Sequence, residues 1–236
     1  MNKININCDV GEGINNEADL MPYINSCNIA CGGHAGNVES MNLVVELAIK
    51  NNVKIGAHPS YPDKENFGRK TMVIESNTLK ISIQNQVNSL LEVLSKNGAK
   101  LNHIKPHGAL YNDIAKNKEL AIVFLDAILP FKNSIKLYVP FNSEIEKNAI
   151  KEGFLVVYEA FADRNYNNDL SLVSRQNNNA IISNPAIIFK HVSEMLDTNK
   201  VTTILGEKVP IKASTFCVHS DTNNAVQIVK YLHQKI

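Results

Sequence analysis

The sequence predicts an α/β fold, a seven-stranded (β/α) barrel closed or nearly closed on itself, and three observations carry that expectation. Short apolar, strand-like runs alternate with helical stretches along the whole of the 236 residues, the pattern of a parallel sheet with helical crossovers. Seven such units can be counted. Ionisable groups follow most of the strand runs: Asp9, His34, His58, His107, Asp163 with Arg164, and His219. A β/α barrel builds its active site at the carboxyl ends of its strands. An open doubly wound sheet would instead gather the site at one switch point. Residues 1–236 read as a single domain, long enough to bury a full core.

Each element has a local reason. The first strand is expected at Lys3–Cys8 and the second at Cys27–Cys31. Asn37 caps a helix whose apolar positions Val38, Met41, Val45 and Ala48 follow the helical period. Val53–Ala57 is the third strand, and a Pro- and Gly-containing loop leads from it to a long helix over Ser76–Asn97. His103–Lys105 is the fourth strand, followed by a helix at Lys118–Leu129 that Pro130 stops. Ile135–Val139 precedes a helix at Asn142–Glu152 closed by Gly153. Leu155–Ala160 is the sixth strand and runs into an irregular polar loop. Asn184-Pro185 supplies the cap and first position of a helix reaching Thr198. Val201–Val209, pivoting on Gly206-Glu207, is a β-hairpin inserted before the last strand, Ser214–Val218. A helix over Asn223–Gln234, capped by Asp221 or Thr222, ends the chain.

Composition narrows the function classes. A formal net charge of +1 offers no basic field for nucleic acid or an anionic membrane. No apolar run approaches a membrane span, and the amino terminus enters a strand pattern rather than a signal peptide. Cys8, Cys27, Cys31 and Cys217 sit in or beside apolar runs, as reduced buried thiols of a cytoplasmic protein. Twenty-one of the 24 basic residues are Lys, which makes Arg69, Arg164 and Arg175 informative, because Lys cannot copy a planar bidentate fork.

The chemistry concentrates in a few segments. Asp9 and Glu12 flank Gly11 and can act as unequal carboxylates, as base, cation anchor or metal ligand. The glycine-rich turn around His34 could present backbone N–H groups to an oxyanion. It is neither a Walker A loop nor a dinucleotide fingerprint, and no other segment supplies a phosphate loop. His58 lies in a Pro-stiffened loop that continues to Arg69. Lys105, His107 and Tyr111 form the densest set: an ammonium for an anion, a general acid or base, and a hydroxyl donor for an oxyanion. Asp163 and Arg164 offer a bidentate carboxylate binder beside an acid, and His219 belongs at the barrel mouth. A divalent ion is a further reading, with Asp9, His34 and His58 as ligands from three consecutive strands. His103, His191 and His233 are read as structural or solvated, and Cys27-x3-Cys31 as core packing rather than a zinc site.

Taken in order, CDVGEG, NIACGGHAGN, GAHPSYPD with NFGRK, HIKPHGALYN, AFADRNY and CVHSDTNNAV resemble the LamB/YcsF family, from residue 4 to about 230. The chain departs from that pattern at Gly33, where an aromatic is common, at Asn37 for Asp, at Ser60 and Ser220 for Gly, and at Ser174 for Pro. The resemblance implies a barrel of the glycoside hydrolase/deacetylase type. It implies ATP-dependent opening of the lactam of 5-oxo-L-proline to L-glutamate together with B and C subunits, with ATP handled by or with those partners. On that reading Asp9, Glu12, Lys105, His107 and Tyr111 are catalytic. His34, His58, Arg69, Asp163, Arg164 and His219 bind substrate. Arg69 or Arg164 would grip its carboxylate, Asp9 or His107 would activate water, and His107 is the preferred base. The alternative is a metal-dependent deacetylase or carbohydrate hydrolase on the same barrel. A non-catalytic scaffold would need no polar clusters at the strand ends.

Overall fold

A computed structural model describes residues 4–235. Seven parallel strands close a barrel: β1 Ile6–Val10, β2 Ser26–Ala30, β3 Lys54–His58, β4 Leu101–Ile104, β5 Lys136–Pro140, β6 Leu155–Phe161 and, after a two-stranded insertion, β9 Thr215–His219. The insertion is the antiparallel pair β7 Lys200–Thr202 and β8 Lys208–Pro210, where the hairpin was expected. β9 closes the ring by pairing with both β1 and β6. Around the barrel stand α1 Glu17–Leu20, α2 Val38–Lys50, α3 Ser76–Lys96, α4 Gly108–Lys116, α5 Lys118–Ala127, α6 Glu144–Glu152, α7 Pro185–Thr198 and α8 Ala225–His233.

Local chemistry accounts for most of the helix ends. Asn37 and Ser40 form a reciprocal capping box on α2, and Ser143 and Glu146 form one on α6. Gly153, left-handed at φ 80°, closes α6. The expected cap of the last helix is corrected: Asn224 precedes α8 without a side-chain cap bond, while Asp221 and Thr222 are engaged elsewhere. Helix α4 was missed because it begins with Gly108 directly after a site histidine and has no side-chain cap. Its apolar stripe of Ala109, Leu110 and Ile114 is nevertheless buried.

The strand boundaries move in a way that matters for the site. The expected start of the first strand at Lys3 lies outside the described residues, and β1 runs through Asp9 to Val10 rather than ending at Cys8. His58 and His219 are likewise the last residues of their strands rather than loop residues. On a strand, alternate residues share a face, and both faces of β1 are buried. The inward set here is polar. Asn7, Asn28, His103, Glu159 and Thr215 are all buried and hydrogen-bond or ion-pair across the barrel. Gly56 makes room for this: a Cβ there would lie 2.2 Å from His103 Nε2. The His103 ring can therefore cross to Asn28, with Nε2 to Oδ1 at 2.7 Å. Ile6, Cys8, Val10, Ile29 and Phe216 belong to the apolar core.

Candidate active site

The carboxyl ends of the strands enclose a cavity of about 350 Å³ lined by Asp9, His58, Lys105, His107, Tyr111, Phe161, Arg164 and His219, with Arg69 and Arg175 also on its wall. Every position expected to carry chemistry lines this cavity or touches a residue that does. Those residues fall into three groups.

The first group is contributed by β1 to β4. Glu12 Oε1 lies 2.9 Å from His34 Nε2 and 3.3 Å from His107 Nδ1. His58 Nε2 is 3.0 Å from His107 Nδ1 and 3.4 Å from Asp9 Oδ2. The His34 and His107 rings stack with centroids 3.6 Å apart. Burial would raise the Glu12 carboxyl, but bonds to His107 and His34 hold it well below the usual carboxylate range. Burial pushes His34 down to about 4 and lowers His107 as well. Backbone geometry aims this group. Phe67, left-handed at φ 55°, turns its carbonyl to His107 Nε2 at 3.0 Å. Gln86 of α3 clamps the loop after β3 through both Ser60 N and Ser60 O. The departure at Gly33 has its reason here: a Cβ there would sit 2.3 Å from Gln86 Oε1 and 2.4 Å from Ser60 Oγ.

The second group surrounds Lys105, which is 1% exposed. Its Nζ lies 2.8 Å from Asp9 Oδ1, 3.0 Å from Glu159 Oε1 and 3.0 Å from Cys217 Sγ. Burial would lower the ammonium, yet the facing groups, Asp9 foremost, raise it well above its ordinary value. Burial likewise opposes ionisation of Asp9, and His58 and Lys105 overcome it, holding the carboxyl well below its usual range. Asn28 Nδ2 adds a 2.8 Å bond to Asp9 Oδ1. The Tyr111 hydroxyl is buried without a hydrogen-bond partner, and burial together with the Glu159 carboxylate raises it. Tyr111 therefore stays protonated, a donor beside the Glu159 carboxylate.

The third group lies on β6 and β9. Asp163 accepts from His219 N and His219 Nδ1, each at 3.0 Å, and from Thr222 Oγ1 at 2.5 Å. Burial would raise the Asp163 carboxyl, but these partners, His219 first, hold it below its ordinary value. The pairing fixes Nδ1 of His219 as the protonated nitrogen, while Nε2 makes no hydrogen bond to a described residue and the ring lines the cavity. That is the orientation of a base held by an acid. Nearby, Arg69 pairs with Asp221, and Arg175 reaches the same carboxylate at 3.2 Å.

Sequence reading and structure differ on several roles. Asp163, expected to bind substrate, is saturated by His219 and Thr222 and positions the imidazole. Arg164, expected to grip a carboxylate, donates from Nη2 to Val173 O at 2.6 Å and from Nε to Ala180 O at 3.3 Å, so its fork ties down the loop after β6. Arg175 stands at the cavity instead. Of the expected metal ligands, His34 and His58 come together, but with Glu12 and His107, while Asp9 turns toward Lys105. Asn28 and Glu159 were not singled out in sequence, and Cys217 was read only as a buried thiol. A polar residue in a buried strand must find partners, but the pattern did not set which face each of them takes.

The fold and this cup of convergent acids, bases and cations define a β/α-barrel protein with an enclosed acid–base site. The chain belongs to the LamB/YcsF family, whose model matches residues 4–236. The A subunit of 5-oxoprolinase from Bacillus anthracis is 39% identical over 240 residues, covering 99% of this chain and 95% of that protein. The lactam utilization protein from Thermus thermophilus superimposes with a TM-score of 0.90 at 30% identity, covering 98% of this chain and 95% of that one. A chitinase from Pseudoalteromonas aurantia, with a TM-score of 0.57 at 8% identity, shares the fold alone; the match covers 98% of this chain and 100% of that one. Among the described residues no helix is long and apolar enough to cross a membrane.

Proposed function

We propose that this chain opens the five-membered lactam of 5-oxo-L-proline to L-glutamate, as the A component of an ATP-dependent 5-oxoprolinase working with separate B and C subunits. Full-length similarity to the A component of a 5-oxoprolinase and to a lactam utilization protein supports the substrate class. The observation that carries the reading is a charged, fully buried Lys105 in a cavity of about 350 Å³ that also holds a carboxylate-held imidazole and three arginines. That space suits a small anionic ring, and its groups match what opening an amide requires.

A lactam is a resonance-stabilised amide, so it needs activation at neutral pH. Transfer of the ATP γ-phosphoryl group to the lactam oxygen supplies it: an O–P bond forms and ADP leaves. The sequence has no phosphate loop, which supports assigning that step to the partner components. In this barrel water then adds to the activated carbon, with His219 Nε2 taking its proton as general base. The C=N electron pair moves onto the ring nitrogen, and Lys105 Nζ and the Tyr111 hydroxyl stabilise the negative charge that develops on the added oxygen as it gives up its second proton. The ring C–N bond breaks as that oxygen becomes the acyl carbonyl, its electron pair stays on nitrogen, and the two protons from water go there to give the ammonium group. Hydrolysis of the remaining acyl phosphate yields glutamate and phosphate. Arg175 and Arg69, sharing Asp221, are the forks placed to exchange that carboxylate for the substrate's.

The test is 5-oxoproline-dependent glutamate release and ATP hydrolysis, measured with this chain alone and with B and C subunits. Glutamate release that needs all three components is the expected result. No release from the full set, together with ATP-independent deacetylation of an acetylated amino sugar, would overturn the reading.

A further inference from the structure

The β1–β4 side of the cup contains a proton-counting problem. His58 Nδ1 lies 2.8 Å from the Lys105 carbonyl oxygen, and His107 Nε2 lies 3.0 Å from the Phe67 carbonyl oxygen. A carbonyl only accepts, so each of these nitrogens carries a hydrogen. In neutral rings the opposite nitrogens, His58 Nε2 and His107 Nδ1, are then bare lone pairs, and they face each other at 3.0 Å. Glu12 Oε1 joins them at 3.8 Å and 3.3 Å. With both rings neutral, three buried acceptors converge with no donor among them, and a bound cation would take the place of the missing proton.

The spacing has the size of a metal site. Donors about 2.0–2.1 Å from one zinc ion at tetrahedral angles stand roughly 3.3 Å from each other, and the three separations here are 3.0, 3.3 and 3.8 Å. The His58 and His107 rings cross at 85°, so one ion can lie in both ring planes. His34 is different. Its ring is parallel to that of His107, at an interplanar angle of 2°, so an ion in the plane of His107 lies off the plane of His34. His34 Nε2 instead donates to Glu12 Oε1 at 2.9 Å and orients the carboxylate. Metal-bound imidazoles characteristically donate their other N–H to a carbonyl or carboxylate, which both His58 and His107 do. Nearby positive charge is offset, because Lys105 is already neutralised by Asp9 and Glu159.

We propose that Glu12 Oε1, His58 Nε2 and His107 Nδ1 bind one divalent transition ion of the zinc type. His34 is a positioning residue for Glu12, and the open coordination position faces the cavity that His58 and His107 line. Two imidazoles and one carboxylate with a position left open is a ligand set of catalytic zinc sites. The proposal stands on these side chains and does not depend on the identity of the lactam. A protein that binds the ion yet releases no glutamate would keep this site and lose the functional reading.

The full chain, stripped with chelator and dialysed, should be titrated calorimetrically with zinc chloride and then analysed for bound metal. One ion per chain is expected. Glu12→Gln and His107→Asn should each weaken binding by more than the ~10- to 100-fold that outer partners are worth. His34→Phe should fall within that range, and His191→Asn should change nothing. Should a ligand variant fail to fold, the cobalt-substituted wild-type protein decides. Visible bands of a nitrogen- and oxygen-ligated ion without thiolate charge transfer are expected. No uptake by the wild-type chain, unchanged affinity in folded Glu12→Gln and His107→Asn, or a thiolate spectrum would each overturn the proposal.

Discussion

The two halves of the cup solve the problem of buried polarity in opposite ways. On the β6–β9 half each carboxylate has a charged or donating partner: Asp163 has His219 and Thr222, Asp221 has two arginines, and Glu159 has Lys105. One lone pair, His219 Nε2, remains for chemistry. On the β1–β4 half the carbonyls of Lys105 and Phe67 take the available N–H groups, and Glu12, His58 and His107 aim lone pairs at a common point. The comparison teaches that the acceptor behind the ring decides what a histidine can do. A carboxylate behind the ring makes a proton acceptor, whereas carbonyls behind two facing rings make a cation ligand set. Lys105 joins the halves, its carbonyl holding His58 and its ammonium holding Asp9 and Glu159.

The joining residue gives the largest expected effect. Lys105→Ala leaves two buried carboxylates without their cation, and breaking a buried pair in this way costs about 3–5 kcal/mol. Urea denaturation should show that loss, and Lys105→Met combined with Glu159→Gln should recover part of it, because the two sites share one interaction. A Lys105→Ala protein of wild-type stability would break the picture of Lys105 as the link. Next comes the β6–β9 half alone. His219→Gln should reduce kcat of the reconstituted enzyme by ~10²–10⁴-fold, the usual worth of a general base, with a small change in Tm. Unaltered kcat would assign the proton transfer to another group.

The smallest effect is on acid stability and sharpens the contrast between saturated and unsaturated carboxylates. Asp163 and Asp221 are both held below the ordinary carboxylate value, Asp163 against burial by His219, and Asp221 against burial by Arg175 and then Arg69. A carboxyl lowered by folding contributes stability that is fully present above its unfolded value of ~3.9. That contribution is lost as pH falls from there through the lowered folded value. Tm measured against pH should therefore drop through that window, and Asp163→Asn should flatten the drop while leaving the profile above about pH 5 parallel. A mutant whose acid limb is as steep as wild type would show that Asp163 is not a source of it.

The strand–helix alternation and the caps at Asn37, Ser143 and Gly153 were legible because they depend on neighbours in sequence, through periodicity, local hydrogen bonds and backbone freedom. The strand-end chemistry of Asp9, His34, His58, His107 and His219 was legible too, since a barrel exposes that end of every strand. Helix α4 was not, because the Gly108 start hides it and burial against the barrel makes up for its poor local signal. Nor were the inward polar residues Asn28, Glu159 and Cys217. Reading them needed strand phase, and strands buried on both faces show no apolar–polar alternation to set it.

What the sequence by itself determined is the ring: seven strand-and-helix units, a hairpin before the last, and an ionisable group at most of the strand ends. Only the tertiary structure decided the partners. Arg164 donates to the loop carbonyls of Val173 and Ala180, Asp163 holds His219, and Asp9 meets Lys105 and His58 while Glu12 meets His34 and His107. The reason is physical. A side chain's residue type sets which protons it can carry, but which nitrogen or oxygen is left free depends on partners far along the chain, such as Lys105 for His58 and Cys217 for Lys105. No local pattern encodes those distances.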